Sequence, residues 1–311
     1  FGVLKQKNKA FILCYHRVIA SPVSSEGFVQ PGMYVDKGAF YLQAQFLKDN
    51  FNVVALSELV GRVLNGKRID GCCAITFDDG WLDNYTCAFQ ILKAMQLPAT
   101  IFLATGFVGT ARLFWPDELS YYLNQLSPES LAQLEHDAAT FCHNIRGLAG
   151  VDQIEAAIAY LKRSPSRDRE DILERFRSMA GACQPKRLLM DWDEAKDMLS
   201  AGLVAFGAHT ANHTILDQLS VSEATKEVER SKGDIENNLG VVPEFFAYPN
   251  GNYSNKITKI VRDLGFKGAV TTNKRWLTGF DDVFELPRIG VHQDVSDTAP
   301  MFFSRILFDQ F

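Results

Sequence analysis

Cys73-Ala74-Ile75-Thr76-Phe77-Asp78-Asp79-Gly80 sets an apolar, strand-like run directly against two adjacent carboxylates and a glycine. Carboxylates that follow a buried strand cost desolvation unless they bind something or meet solvent in a cleft. The plain alternative is a turn, because Asp and Gly both favour turns. Outward from this stretch, short runs rich in Val, Ile and Phe recur at Ala10 to Cys14, Asn52 to Ala55, Ala99 to Leu103, Val204 to Ala208, Glu244 to Ala247, Gly268 to Thr271 and Val283 to Leu286. Longer segments of helical period separate them, which is the signature of strand-helix units around a parallel sheet. Seven or eight such strands predict an α/β barrel.

Helix signals support that reading. Ser220-x-x-Glu223 is a capping box, in which each side chain satisfies a backbone amide at the other end, and Val221, Ala224, Val228, Ile235 and Leu239 follow at helical spacing up to Gly240 and Pro243. A helix over Thr86 to Met95, stopped before Pro98, links two strands as a right-handed crossover. Between Thr110 and Leu188 the strand rhythm gives way to charged helical sequence, including Pro116 to Leu126, Val151 to Leu161 and Asp168 to Met179. The expectation is a single domain over residues 1–311 with a helical insertion at about 110–188 that packs on the barrel, since no Gly/Ser-rich linker flanks it.

The 311 residues are 47% hydrophobic and 22% charged, enough apolar material for a sizeable core. A formal net charge of -5 with no basic stripe argues against a nucleic-acid partner. The longest apolar runs fall far short of the roughly 20 residues that cross a bilayer, so no transmembrane segment is expected. The six cysteines (Cys14, Cys72, Cys73, Cys87, Cys142 and Cys183) are scattered without a C-x-x-C pair and read as buried thiols. That usage favours a reducing interior, and with no export signal in the numbered residues it points to a cytoplasmic or membrane-peripheral location.

A second constellation, His209-Thr210-Ala211-Asn212-His213, also follows an apolar run. Two imidazoles at i and i+4 share one face if the backbone is helical, and neutral imidazole is a common ligand of zinc-like ions; the alternative is a pair of loop histidines with no metal. Two histidines plus one carboxylate from separate strand ends give three ligands and an open position, the arrangement of a catalytic metal. In such barrels reactive residues collect at the carboxyl ends of strands, and His16, Asp78, Asp79, His209, Tyr248, Arg288 and His292 all follow strand-like runs. His136 and His143 lie in the insertion and receive no role.

Thr76 to Gly80, His209-x-x-x-His213, Tyr248-Pro249-Asn250-Gly251 and the opening Cys14-Tyr15-His16-Arg17-Val18 resemble, in order and context, the polysaccharide deacetylases, the NodB-homology or carbohydrate esterase family 4 enzymes. The resemblance covers most of the chain outside the insertion. It implies a distorted barrel of about seven parallel strands that removes N-acetyl groups from an amino sugar in a saccharide, a glycan precursor or a polysaccharide. It also implies one divalent ion, usually zinc with nickel, cobalt or iron(II) as alternatives, held by Asp79, His209 and His213. Asp78 would then be the general base, and the backbone amide of Tyr248 would help bind the oxyanion.

Two departures follow. The Arg that pairs with the base in the family's third motif is missing from Phe245 to Gly251, and Arg288 is the candidate to replace it, because a guanidinium clamps a carboxylate bidentately; its alternative is a solvated surface Arg. The family's closing Leu-x-His reads Gly290-Val291-His292 here, which offers His292 as general acid with His16 as the other candidate proton donor. Trp81 and Trp276 are the better candidates for stacking on a sugar ring, although large aromatics are mostly core. At the insertion's entry, Trp115 beside Asp117 and Glu118 reads either as a sugar contact or as the start of a core helix. A non-catalytic carbohydrate-binding relative and a deacetylase of a non-sugar amide are the competing readings, but the first expects losses among Asp78, Asp79, His209 and His213, and all four are present.

Overall fold

The structure, a computed structural model, describes residues 8–20, 29, 31–125, 127, 139–180 and 186–307. Seven parallel strands form the barrel: β1 (Lys9–Tyr15), β2 (Cys72–Phe77), β3 (Ala99–Leu103), β4 (Val204–Ala208), β5 (Phe245–Ala247), β6 (Gly268–Val270) and β7 (Ile289–Gly290). They pair in sequence order from β1 to β6, and β7 lies on the free edge of β1, with Leu13 opposite both Ile75 and Ile289. Between β6 and β7 the wall is irregular: the Leu286 N–H donates to the Ala269 carbonyl at 3.0 Å, the Thr271 N–H to the Leu286 carbonyl at 2.8 Å, and the Val291 N–H to the Cys14 carbonyl at 2.9 Å. This stretch closes the ring, and its lack of regular pairing is the distortion. The run Val283 to Leu286 accordingly contributes a single parallel bridge, Leu286 to Val270, instead of a strand.

Every residue of β2 is buried, as is every residue of β3 and β5. Such strands must be covered on both faces, and helices do so outside the ring. Helix Lys37–Asn50 turns Phe40, Ala44 and Leu47 inward. Helix Val221–Leu239 carries the reciprocal Ser220–Glu223 capping box and buries Ala224, Val228, Ser231, Ile235 and Leu239, and it ends on Gly240 at φ 70°. The crossover after β2 differs from the expected helix at its start: a π-helical turn, Asn84–Ala88, runs into Phe89–Met95, and Gln96 closes it in the left-handed region at φ 57°. Asn84 explains the early start, because its amide donates to the His16 carbonyl at 2.7 Å and draws the first turn toward the end of β1.

The described part of Ala111–Arg187 belongs to a second compact unit. Its helices Trp115–Gln125, Ala139–Ile145, Gly150–Arg163 and Ser166–Ala180 share a core that includes Leu119, Phe141, Ile158, Leu161 and Phe176. Arg177 clamps Glu118 through two hydrogen bonds of 2.7 and 2.9 Å. Leu126 and His136 lie outside the described residues, as does Cys183; the other five cysteines are free and buried. Among the described residues no helix is long and apolar enough to cross a membrane.

Candidate active site

The carboxyl ends of β1, β2 and β4 and the ring-closing stretch bring the acidic and basic side chains together. Asp78 and Asp79 leave β2 on a sharp turn, with Asp79 at φ 76° and Gly80 at φ 83°. Gly80 is required twice over: its φ is left-handed, and a Cβ there would sit 2.6 Å from Leu103 Cδ2. Asp79 is 2% exposed and both imidazoles approach the same oxygen, with His209 Nε2 at 3.5 Å and His213 Nε2 at 3.3 Å from Oδ1.

The spacing of the two histidines does not work through a helix, contrary to the i, i+4 expectation. Residues 209–213 form a non-helical loop in which Thr210 (φ 60°) and His213 (φ 53°) are left-handed. Non-glycine residues in that region cost about 1–3 kcal/mol each and persist only where their surroundings hold them. Glu227 is one such support, accepting from the Ala211 and Asn212 N–H groups at 3.1 and 2.9 Å and from the Asn212 side chain at 2.7 Å. On the other side the Gly106 N–H donates to the Ala211 carbonyl at 2.8 Å, and a Cβ on Gly106 would fall 2.8 Å from that same oxygen.

His209 Nδ1 lies 2.7 Å from the Ala247 carbonyl. A carbonyl only accepts, so Nδ1 carries a proton, and Nε2 is the nitrogen turned toward Asp79. Desolvation, outweighing the neighbouring Asp79 carboxylate, pushes His213 down to about 4, so this imidazole is neutral near pH 7. Asp79 Oδ2 accepts from the Trp81 indole N–H at 2.9 Å, whereas buried Oδ1 meets no hydrogen-bond donor among the described residues. An orphaned carboxylate oxygen facing two imidazole nitrogens is what a divalent cation would satisfy, and the donor set of one oxygen and two nitrogens within 4.8 Å of one another fits it.

Arg288, 1% exposed, spans the barrel to Asp78 with two parallel hydrogen bonds, Nη1 to Oδ1 at 2.7 Å and Nη2 to Oδ2 at 2.6 Å. Its Nε donates to the Thr271 carbonyl at 2.9 Å, and Nη1 also reaches Thr76 Oγ1 at 3.1 Å. Desolvation acts to raise the Asp78 pKa, but the Arg288 charge and hydrogen bonds hold the carboxyl well below its usual range. Cys14, His16 and Asp78 form a second group of metal-type donors. Since the Arg288 fork occupies both Asp78 oxygens, it is organised as an ion pair.

His292 follows β7, half-buried, with Nδ1 hydrogen-bonded to Asp294. His16 follows β1 and is also half-buried; His143 is exposed. Three expected site residues are placed differently. The Tyr248 N–H donates to the Val270 carbonyl at 3.2 Å and its buried phenol to the Phe284 carbonyl at 3.0 Å, so its amide is committed to the barrel wall and does not serve an oxyanion. Trp276 is core, with its indole N–H on the Ile306 carbonyl at 2.7 Å and its ring against Phe11 near the amino end of β1, away from the strand ends that carry the site. Trp81 is 1% exposed and offers no face for a sugar; it holds Asp79 instead. Trp115 starts its helix packed against the core of the second unit, with the Arg169 guanidinium 5.0 Å over its ring.

The family model described as polysaccharide deacetylase matches residues 65–269. Among solved structures, the Streptococcus pyogenes deacetylase PplD, in complex with acetate, superposes with a TM-score of 0.63 at 20% identity, covering 97% of this chain and 99% of that one. IcaB from Ammonifex degensii gives 0.60 at 20% identity, covering 96% and 98% of the two chains. BC0361, a polysaccharide deacetylase from Bacillus cereus, gives 0.62 at 17% identity, covering 96% of this chain and 69% of its own. At such identities these likenesses speak for the fold, and the family follows from the sequence match, which spans well over half of the chain: the protein belongs to the polysaccharide deacetylase family and is a carbohydrate deacetylase.

Proposed function

We propose that the protein removes N-acetyl groups from an amino sugar in a saccharide, glycan precursor or polysaccharide, using one divalent ion, zinc in the first instance, held by Asp79, His209 and His213. The observation that carries this reading is the orphaned Asp79 Oδ1 facing two imidazole nitrogens in a buried site. When bound there, such an ion acts as a Lewis acid that polarises the acetyl carbonyl and makes a water more acidic.

Asp78 is the general base. Ionised at all working pH values and clamped by Arg288, it accepts the proton of the water that attacks the amide carbonyl, through lone pairs the Arg288 fork leaves free. A fixed, dry base loses little to reorganisation during the reaction. His292, whose Nδ1 is bonded to Asp294 so that Nε2 is the nitrogen left for proton transfer, is the first candidate to protonate the leaving amine; His16, at the end of β1, is the second.

Asp78→Asn is expected to keep its metal and lose at least about 100-fold in turnover, because it removes a base and not a ligand. Asp79→Asn should instead weaken metal binding. Metal content measured beside the rate of acetate release from free, nucleotide-linked and polymeric N-acetyl sugars separates the two roles. Equal metal loss in both variants would refute the division of labour between the aspartates, and no acetate release from any of the three substrate types would refute the sugar substrate.

A further inference from the structure

Trp81 is almost wholly buried, and its indole N–H donates to Asp79 Oδ2 at 2.9 Å. An indole donates and cannot accept, so this contact occupies one Asp79 oxygen and leaves the other, Oδ1, to face His209 and His213. The backbone on both sides of Trp81 is pinned: the Leu82 N–H donates to the Leu188 carbonyl at 2.8 Å and the Met190 N–H to the Gly80 carbonyl at 2.9 Å. The ring is fixed by charge as well. The Arg17 guanidinium stands 4.5 Å over it, held by Asp83 Oδ2 at 2.8 Å, and Asp83 Oδ1 accepts from the Val18 N–H at 2.8 Å. A cation over an indole face withdraws electron density from the ring and makes its N–H a stronger donor.

These contacts form a chain from the short strand Arg17–Ile19 through the Asp83 carboxylate and the Trp81 ring to one oxygen of Asp79. We infer that Asp83, Arg17 and Trp81 are positioning residues that restrict Asp79 to ligating a divalent cation through Oδ1 alone, an inference that rests on the metal site proposed above. Without the indole N–H, Oδ2 is free to turn toward the cation, and the carboxylate can bind through both oxygens or rotate away.

The test uses the full chain stripped of metal with a chelator, then titrated with zinc ion alone and, in parallel, cobalt(II) ion alone. Trp81→Phe, which keeps the ring but deletes the donor, is expected to weaken zinc binding by about 10- to 100-fold, as loss of a group that orients a ligand usually does. The visible absorption of the cobalt form should also change in intensity, because a carboxylate that gains a second contact alters the coordination number; a purely structural role would leave that spectrum unmoved. The paired change Arg17→Gln with Asp83→Asn keeps a neutral hydrogen bond but removes the cation, and is expected to cost about 2- to 5-fold in zinc affinity. If Trp81→Phe does not fold, this double variant decides. Wild-type zinc affinity and an unchanged cobalt spectrum in the folded variants, with binding lost in His209→Ala, would overturn the positioning role and leave the metal site standing. No zinc uptake by the wild-type chain would overturn both.

Discussion

Arg288→Ala is expected to lower turnover by at least about 100-fold and to destabilise the fold by about 3–5 kcal/mol, the usual cost of stranding one partner of a buried ion pair. The guanidinium side chain is 0% exposed and that of Asp78 4%. Removing the cation leaves a dry carboxylate whose pKa then rises, because desolvation is the strongest influence on Asp78 and Arg288 is the main one opposing it. A larger share of Asp78 would then be protonated at any given pH than in the wild-type enzyme, so the activity that remains should rise with pH where the wild-type activity does not. Arg288→Lys restores charge without the planar fork and should regain part of the loss, since Lys cannot donate to both Asp78 oxygens, Thr271 and Thr76 together. Asp78→Asn combined with Arg288→Met should be less destabilising than the sum of the single changes, as coupled neighbours are. Denaturant titrations and pH–rate profiles of Arg288→Ala, Arg288→Lys, Asp78→Asn, Arg288→Met and the double variant check this. Additive energies with an unshifted pH profile would show that the pair does not act as a unit.

What could be read in the sequence was local. The run Cys73 to Phe77 with its trailing carboxylates, the Ser220–Glu223 capping box and most of the rhythm of strands each depend on neighbours in the chain and lie where they were expected; Val283 to Leu286, which gives a bridge and not a strand, is the exception. What could not be read depended on contacts far apart. Trp81 and Trp276 have the composition of sugar-stacking residues, and only packing against Arg17 and Phe11 makes them interior. The Tyr248 amide was assignable to an oxyanion until pairing with β6 occupied it. The supports of the histidine loop were missed altogether, although a signal existed. Glu227 and Asp234 fall seven residues apart along the stripe that buries Ala224, Val228, Ser231 and Ile235, where acidic side chains need partners. Glu227 finds the Ala211 and Asn212 amides, and Asp234 accepts from Thr105 Oγ1 at 2.6 Å, one residue before the Gly106 contact.

His209→Ala is expected to take the chain from about one bound divalent ion to none, and acetate release to background. Two remaining ligands, one carboxylate oxygen and one half-exposed imidazole, fall short of the three protein ligands that catalytic sites use. The variant also strips the Ala247 carbonyl of its partner and opens a gap at a side chain only 2% exposed, so part of any loss could be structural. His213→Ala resolves this, because its side chain is 32% exposed and its removal disturbs packing less, yet it removes an equivalent ligand. Both variants should lose metal alike while differing in stability. Ligand-linked stabilisation gives a second, activity-independent readout: zinc at about 100 times its dissociation constant should stabilise the wild-type chain by about 2.7 kcal/mol, and neither variant at all. If either variant keeps its ion, its turnover and its zinc-dependent rise in melting temperature, then Asp79, His209 and His213 do not hold the metal, and the orphaned Asp79 oxygen needs a different partner.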